Sequence, residues 1–170
     1  YPGIGYGGSC FPKDVKALVR TGQEHGVRLQ ILEAVEDVNQ SQRTFFIDKI
    51  KTYYNHNVRG KKFAVWGLSF KPETDDIREA PALDILENLL HAGAEVHAFD
   101  PIAGPNTLEY FKTTSPQFLS HMGEASFTIH DNQYDALKGA DAMILITEWK
   151  PFRSPDFMKM KALMKAPVIF

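Results

Sequence analysis

The chain contains one cysteine, Cys10, which follows a glycine-rich segment and precedes a Pro-Lys-Asp sequence where a helical pattern begins. The unpaired backbone N–H groups at a helix start carry a partial positive charge, which favours a thiolate. Lys13 adds positive charge, and Asp14 lies one helical turn further, where its carboxylate can steer a water molecule or accept a proton. Cys10 is therefore a candidate covalent nucleophile. The alternative is a small buried apolar residue, the usual role of a lone cysteine.

The glycines before Cys10 match the G-x-G-x-x-G pattern of dinucleotide-binding loops, through Gly3, Gly5 and Gly8. That motif normally follows a strand and leads to a second strand that ends in an acidic residue. Here two residues precede it, and helical sequence follows. We interpret the segment as a loop whose backbone a ligand can approach closely, or as an ordinary turn.

A second group of polar residues follows the predicted strand KKFAVWGLSF. Lys71 and Arg78 lie in the loop after this strand, and both side chain types bind phosphates well. The same loop carries acids that could simply pair with them, namely Glu73, Asp75, Asp76 and Glu79. Asp100 ends the next predicted strand, where a ribose-binding carboxylate lies in nucleotide-binding folds.

Two helices are predicted to precede this strand. Pro12 suits a first helical turn, and Gly26 is a plausible stop. Residues 29–54 then predict one long helix, because they contain neither glycine nor proline and carry many apolar residues. Apolar residues at this density indicate burial on more than one side, by a second domain or a dimer partner. The alternative is a core helix packed within the chain.

The remainder alternates strands and helices, which implies right-handed crossovers and a parallel sheet covered on both faces. The predicted strands after the first are AEVHAFD, SFTIHD, DAMILIT and PVIF, and the predicted helices are APALDILENLLHAG, NQYDALKGA and SPDFMKMKALMK. Residues 101–123 are predicted as loop with one short helix. The fold class is therefore α/β, a long central helix followed by a Rossmann-like parallel sheet with helices on both faces. We divide the chain into residues 1–57 and a sheet domain, 58–170, truncated at its C-terminus.

Composition narrows the function classes. A net charge of −2 over 170 residues gives no indication of nucleic acid or a membrane surface as partner. No apolar run approaches the roughly 20 residues that span a bilayer. A single cysteine forms no internal disulfide, which favours a reducing, cytoplasmic compartment. The histidines are scattered without zinc-ligand spacing, so no metal site is expected.

Two long segments carry a family resemblance. GYGGSCFPKD resembles the active-site segment of the UDP-glucose/GDP-mannose dehydrogenase family. GLSFKPETDDIREAPALDILENLLHAGAEVHAFDP resembles the opening of that family's C-terminal nucleotide-sugar domain. Both stand in family order, about 60 residues apart, and the resemblance covers nearly the whole chain.

The resemblance implies two successive NAD-dependent oxidations that turn a sugar primary alcohol into a carboxylate. Cys10 would attack the aldehyde to form a thiohemiacetal, and the thioester that follows would be hydrolysed with help from Asp14. UDP-glucose is the expected substrate and GDP-mannose the main competitor. UDP-N-acetylmannosamine is disfavoured, because those relatives typically have histidine where Ser9 stands.

The resemblance also assigns binding residues. Lys13 and Arg78 would contact NAD, and the long helix would form a homodimer. The residues assigned to the nucleotide sugar are Tyr1, Tyr6, Gly7, Phe70 and Lys71. The family's N-terminal NAD-binding domain is missing from this sequence, so we expect the chain alone to be inactive. The isolated chain could instead be a non-catalytic nucleotide-sugar-binding or dimerisation module, or a plain NAD-binding Rossmann domain.

Overall fold

The computed structural model describes residues 3–114 and 126–170 of the chain. Two helices come first, α1 (Phe11–Glu24) and α2 (Gln30–Tyr53), as the sequence predicts. Pro12 lies in the first turn of α1, where its missing N–H breaks no helical hydrogen bond. Gly26 follows the end of α1 with a φ of 69°, a left-handed conformation that glycine adopts without strain.

Within the described residues, four parallel strands form one sheet: β1 (Lys62–Trp66), β2 (Glu95–Phe99), β3 (Phe127–Ile129) and β4 (Ala142–Leu145). Their spatial order is β3-β2-β1-β4. Residues 168–170 add a short parallel pairing to β4, with a bridge between Met143 and Ile169. The predicted α/β fold with a parallel sheet is confirmed.

Helices cover both faces of this sheet. On one face, α2 packs with α3 (Pro81–His91) and α4 (Gly104–Thr114). On the other lie the short α5 (Gln133–Ala136), a 3₁₀ turn (Lys150–Phe152) and α6 (Phe157–Leu163). The four residues 63–66 of β1 have no solvent exposure, as expected for a central parallel strand covered from both sides.

The prediction for residues 101–123 needs correction. Helix α4 is eleven residues long rather than short, and it begins soon after β2 ends. Thr107 and Phe111, one helical turn apart, are fully buried, and Phe111 joins the core beneath the sheet. That buried face stabilises a helix despite the turn-forming residues at its start. Residues 115–125 of the predicted segment lie outside the described residues.

Helix α2 packs along one side only against the other residues that the structure describes. Ile47 and Ile50 near its C-terminus belong to the sheet core. Ile31, Val38 and Phe45 recur every seven residues and are 81%, 66% and 65% exposed. Within residues 3–114 and 126–170, burial of α2 on more than one side is therefore not achieved. No helix among residues 3–114 and 126–170 is long and apolar enough to cross a membrane.

Candidate active site and nucleotide cleft

Cys10 occupies the position just before the first residue of α1, and its side chain is exposed. Its sulfur lies 3.7 Å from the hydroxyl oxygen of Ser9. The structure therefore excludes the interpretation of Cys10 as a buried apolar residue. An exposed sulfur at the positive end of a fourteen-residue helix is open to attack an electrophile.

The charged residues predicted beside Cys10 lie on the first turn of α1. The backbone N–H of Asp14 donates to the carbonyl of Cys10 over 2.9 Å, so Cys10 accepts the first hydrogen bond of the helix. Lys13 Nζ lies 3.3 Å from Asp14 Oδ1, and both side chains are about 70% exposed. This ion pair is open to solvent, so both groups remain available to a ligand.

The glycines before Cys10 pack directly against the loop that follows β1. The N–H of Gly8 donates to the carbonyl of Arg78 over 2.8 Å. A Cβ on Gly7 would lie 2.2 Å from the carbonyl oxygen of Glu79, and one on Gly8 would lie 2.7 Å from the Phe70 ring. Gly8 also has a φ of 95°, which side chains rarely tolerate. These glycines are therefore required for close docking of two chain segments.

Tyr6, predicted to contact the sugar nucleotide, is fixed by a row of polar residues on α2. Its N–H donates to Asn39 Oδ1 over 2.8 Å, its carbonyl accepts from Asn39 and Arg43, and its hydroxyl donates to Glu36. Burial, followed by the hydrogen bond to Glu36, raises the pKa of Tyr6 to about 12, so the phenol stays neutral. Sequence reasoning missed this row, although polar residues at spacings of three and four on an apolar helix were a usable signal.

Arg78 forms a bidentate ion pair with Asp76, at 2.9 Å from Nε to Oδ1 and 2.8 Å from Nη2 to Oδ2. These hydrogen bonds lower the pKa of Asp76 below its usual value. In this structure Arg78 is therefore the ion-pair partner of a nearby acid, which is the alternative to phosphate binding that the sequence left open. The guanidinium is nonetheless 69% exposed and lies within electrostatic reach of Cys10.

A cleft of about 500 Å³ opens at the carboxyl ends of β1 and β4. The sheet order reverses here, because β2 and β3 lie on one side of β1 and β4 on the other. Parallel α/β sheets bind their ligands at such a topological switch point. The cleft is lined by Gly3, Ile4, Gly5, Gln42, Phe45, Phe46, Lys49, Ser69, Phe70, Lys71, Pro72, Pro81, Leu145, Ile146, Thr147 and Glu148.

Phe70 and Lys71, both predicted to bind the nucleotide sugar, line this cleft. The Lys71 ammonium lies 5.4 Å from the centre of the Phe70 ring, and the same ring contacts Gly8. Phe70 thus connects the cleft with the cysteine-bearing loop. Tyr1, the remaining predicted site residue, lies outside the described residues.

The proposed ribose role of Asp100 is wrong for this structure. The carboxylate is 6% exposed, and Oδ2 also accepts from the indole N–H of Trp149 over 3.1 Å. Its backbone donors, at 2.7–3.2 Å, are the N–H groups of Leu68, Ser69, Ile102 and Ala103. A carboxylate that accepts this many hydrogen bonds holds the loops at the end of the sheet in place and is not available to bind a ribose.

Two loops meet closely behind the cleft. Thr147 Oγ1 donates to the carbonyl of Ser69 over 2.5 Å, and Gly67 passes so near that a Cβ would lie 2.6 Å from Thr147. Gly67 has a φ of 90°, so only glycine suits the position.

Among the described residues, no group of three histidine, cysteine or carboxylate side chains is placed to hold a metal ion.

This architecture defines a class of protein: an α/β domain of nucleotide-binding type, joined to a helical segment that carries an exposed thiol. The model for the UDP binding domain of the UDP-glucose/GDP-mannose dehydrogenase family matches residues 64–170, and the model for the central domain matches residues 1–41. The chain belongs to the UDP-glucose/GDP-mannose dehydrogenase family.

Individual relatives agree with this assignment. The chain is 44% identical over 99% of its length to a UDP-glucose 6-dehydrogenase of Pseudomonas aeruginosa, and 39% identical over 98% to UDP-glucose 6-dehydrogenase TuaD of Bacillus subtilis. It spans only 36% and 33% of those proteins. It also resembles the structure of a UDP-glucose dehydrogenase from Pyrobaculum islandicum, with a TM-score of 0.80, 28% identity and coverage of 98% of this chain and 38% of that one.

Proposed function

We propose that this chain supplies the nucleophile and the UDP-sugar cleft of an NAD-dependent UDP-glucose 6-dehydrogenase, which oxidises UDP-glucose to UDP-glucuronate. One observation carries the proposal. The loop that ends in the exposed Cys10 docks onto Phe70, a residue that also lines the cleft at the switch point. A nucleotide held in this cleft can extend its sugar toward the cysteine. The similarity to UDP-glucose 6-dehydrogenases supports this choice of substrate.

In the proposed complex, the side chains of the cleft hold the diphosphate end of the substrate. The exposed Lys71 ammonium pairs with a phosphate oxygen, since a charge-assisted hydrogen bond is the strongest polar contact available there. Phe70 separates this group from the cysteine-bearing loop. Tyr6 and Gly7 belong to the loop proposed to wrap the sugar, and Tyr6 is already fixed to α2.

Cys10 is proposed to capture the substrate covalently at the aldehyde level. Its sulfur adds to the C6 aldehyde carbon, the carbonyl oxygen takes up a proton, and a thiohemiacetal forms. Loss of a hydride from C6, which bound NAD would accept, together with loss of the hydroxyl proton, leaves the same carbon as a thioester. Asp14, one turn along α1, orients the water that cleaves the thioester, and the acid leaves with restoration of the thiol. Covalent attachment keeps the reactive aldehyde from escaping.

The cofactor of this proposal is NAD, and the residues beside Cys10 fit it. Lys13 and Arg78 are both cationic and mostly exposed, which suits contact with a pyrophosphate. Arg78 would need to share its guanidinium with Asp76, its present partner. When bound, NAD supplies the hydride acceptor for each oxidation.

We further propose a division of labour along the chain. Residues 1–57 provide the nucleophile loop and the helix of a homodimer, and residues 58–170 provide the UDP-sugar domain. The exposed thiol favours a reducing, cytoplasmic location.

Calorimetric titration of the chain with UDP-glucose, GDP-mannose and NAD tests the proposal. UDP-glucose should bind most tightly, and Lys71→Ala should weaken that binding. Preferential binding of GDP-mannose would change the substrate, and NAD binding without competition from UDP-glucose would indicate a plain Rossmann domain. In the complete protein, each UDP-glucuronate formed should be accompanied by two NADH, and a single NADH would contradict the double oxidation.

A further inference from the structure

We propose that Arg43 is a positioning residue that locks the loop bearing Cys10 onto the UDP-sugar domain. The catalytic consequence rests on the proposed role of Cys10 as nucleophile. Arg43 lies on α2, 33 positions after the cysteine, and is not among the residues that line the cleft at the carboxyl ends of β1 and β4. It acts through backbone carbonyls.

The geometry points to this role because one nitrogen of Arg43 joins two separate segments. Nη2 donates to the carbonyl of Tyr6 over 2.8 Å and to the carbonyl of Glu79 over 3.0 Å. Tyr6 belongs to the nucleophile loop, and Glu79 to the loop after β1. The bond from Gly8 to Arg78 lies immediately beside this bridge in both segments. Arg43 therefore fastens the joint through which the cysteine is placed near the cleft.

The other side of the guanidinium is held by α3. Nη1 donates to Asp84 Oδ2, and the Arg43 side chain is only 6% exposed. Nε has no hydrogen-bond partner among the described residues. A buried arginine with an unsatisfied nitrogen is a poor choice for stability alone, since apolar residues often replace buried ion pairs without loss. Its two bonds to carbonyls of different segments give a reason for its presence.

The competing explanation is that Arg43 serves only as the ion-pair partner of Asp84. Four variants distinguish this explanation from the positioning role. Asp84→Asn removes the ion pair but leaves the bonds to Tyr6 and Glu79. Arg43→Met removes both, and Arg43→Met with Asp84→Asn removes the arginine without leaving an unpaired carboxylate. Arg43→Lys keeps a cation for Asp84 but lacks the planar fork that reaches the carbonyls.

The complete protein is the material for the test, with Lys51→Met as the matched control. Lys51 also connects α2 to α3, through Asn88 Oδ1 at 3.5 Å, but does not touch the nucleophile loop. Hydrogen exchange of the Gly8 amide measures directly how firmly the loop bearing Cys10 is held against the loop after β1, and this readout does not depend on activity. Steady-state kinetics and UDP-glucose affinity then measure the effect on catalysis and on substrate binding.

We expect Gly8 exchange to accelerate about tenfold in Arg43→Met, Arg43→Lys and the double variant, since an anchoring hydrogen bond is lost. We expect kcat to fall by up to about 100-fold, with UDP-glucose affinity nearly unchanged, because the nucleophile is misplaced. Asp84→Asn and Lys51→Met should leave exchange and kcat close to the parent.

Recovery of kcat and exchange in the double variant, or an equal effect of Asp84→Asn, would overturn the proposal in favour of a purely structural ion pair. If Arg43→Met does not fold, Arg43→Lys decides, and unchanged Gly8 exchange in that variant would also overturn it. A parent protein that oxidises no nucleotide sugar would refute the proposed function, whereas the exchange measurement would still test the joint.

Discussion

The backbone N–H of Gly8 donates a 2.8 Å hydrogen bond to the carbonyl of Arg78. This bond connects two segments that lie 70 positions apart in the sequence, the loop that leads to Cys10 and the loop after β1. Gly8 stands two positions before Cys10, and Arg78 forms the exposed ion pair with Asp76. The contact therefore sets how close the Cys10 sulfur lies to the sheet domain.

Gly8→Ala should detach this loop. The new Cβ would lie 2.7 Å from the Phe70 ring, and alanine would also be strained at a φ of 95°. Unfavourable backbone conformations alone cost about 1–3 kcal/mol, and the steric contact adds to that cost. We expect the free energy of unfolding, measured by urea denaturation, to fall by more than in the control Gly26→Ala.

Gly26 is a suitable control because its φ is also positive, at 69°, but a Cβ there meets nothing within 4 Å. Gly26→Ala therefore measures only the cost of placing alanine at a positive φ. Equal losses of stability in both variants would show that Gly8 is not packed against Phe70.

Lys71→Ala should weaken UDP-glucose binding by about 1–3 kcal/mol, the range for a hydrogen bond to a charged group. The lysine lines the cleft, and its ammonium lies over the Phe70 ring. Isothermal calorimetry measures the change. Lys161→Ala, on the last turn of α6, is the control and should leave the affinity unchanged. An unaltered affinity in Lys71→Ala would show that Lys71 does not contact the bound UDP-glucose.

Stability should fall on mild acidification because of two stacked histidines. His97 Nδ1 lies 2.7 Å from His130 Nε2, and the rings are 5.0 Å apart. Burial, followed by the charge of Lys62, lowers the pKa of His97 to about 4, and the pKa of His130 is lowered by the same two causes. Asp131 and Asp135 oppose the shift of His130 without reversing it.

A histidine with a depressed pKa binds its proton more readily when unfolded. Its contribution to stability is therefore complete above the unfolded pKa of about 6.5 and is lost as the pH falls toward 4. We expect His97→Gln to reduce the loss of stability between pH 7 and pH 5 by about 1–2 kcal/mol, with solvent screening taken into account. Urea denaturation at both pH values measures this, with exposed His25→Gln as control. If the free energy of unfolding of His97→Gln depended on pH as in the parent, the lowered pKa of His97 would be contradicted.

The exposed apolar stripe on α2 predicts a dimer. Ile31, Val38 and Phe45 recur at heptad spacing on one side of the helix, where an unpartnered apolar face is unfavourable in water. Light scattering of the chain at micromolar concentration should give twice the monomer mass. Val38→Asp should give a monomer, whereas Val27→Asp, in the loop before α2, should not. A monomeric parent chain would count against the dimer helix.

Much of the fold was predictable because its signals are local. The long α2, the buried β1 and the alternation of strands and helices each follow from apolar periodicity and from the placement of glycine and proline. For Cys10 the sequence left two interpretations open, a nucleophile and a buried apolar residue, and its observed exposure removes the second.

The contacts that hold the site together were not predictable in the same way. Asp100 matched the position of a ribose ligand, but its carboxylate is occupied by N–H donors that the fold brings together. Glu36, Asn39 and Arg43 were hidden within a helix judged by its apolar residues, and their partner Tyr6 lies more than 29 positions away. Tertiary hydrogen bonds of this kind leave only a weak periodic signal in the sequence.

Formation of UDP-glucuronate by Cys10→Ala, measured in the complete protein with UDP-glucose and NAD, decides whether Cys10 is the nucleophile. Since alanine cannot capture the aldehyde, we expect acid formation to be abolished while UDP-glucose affinity stays within a few-fold of the parent. Normal turnover by Cys10→Ala would contradict the assignment of Cys10 as the nucleophile.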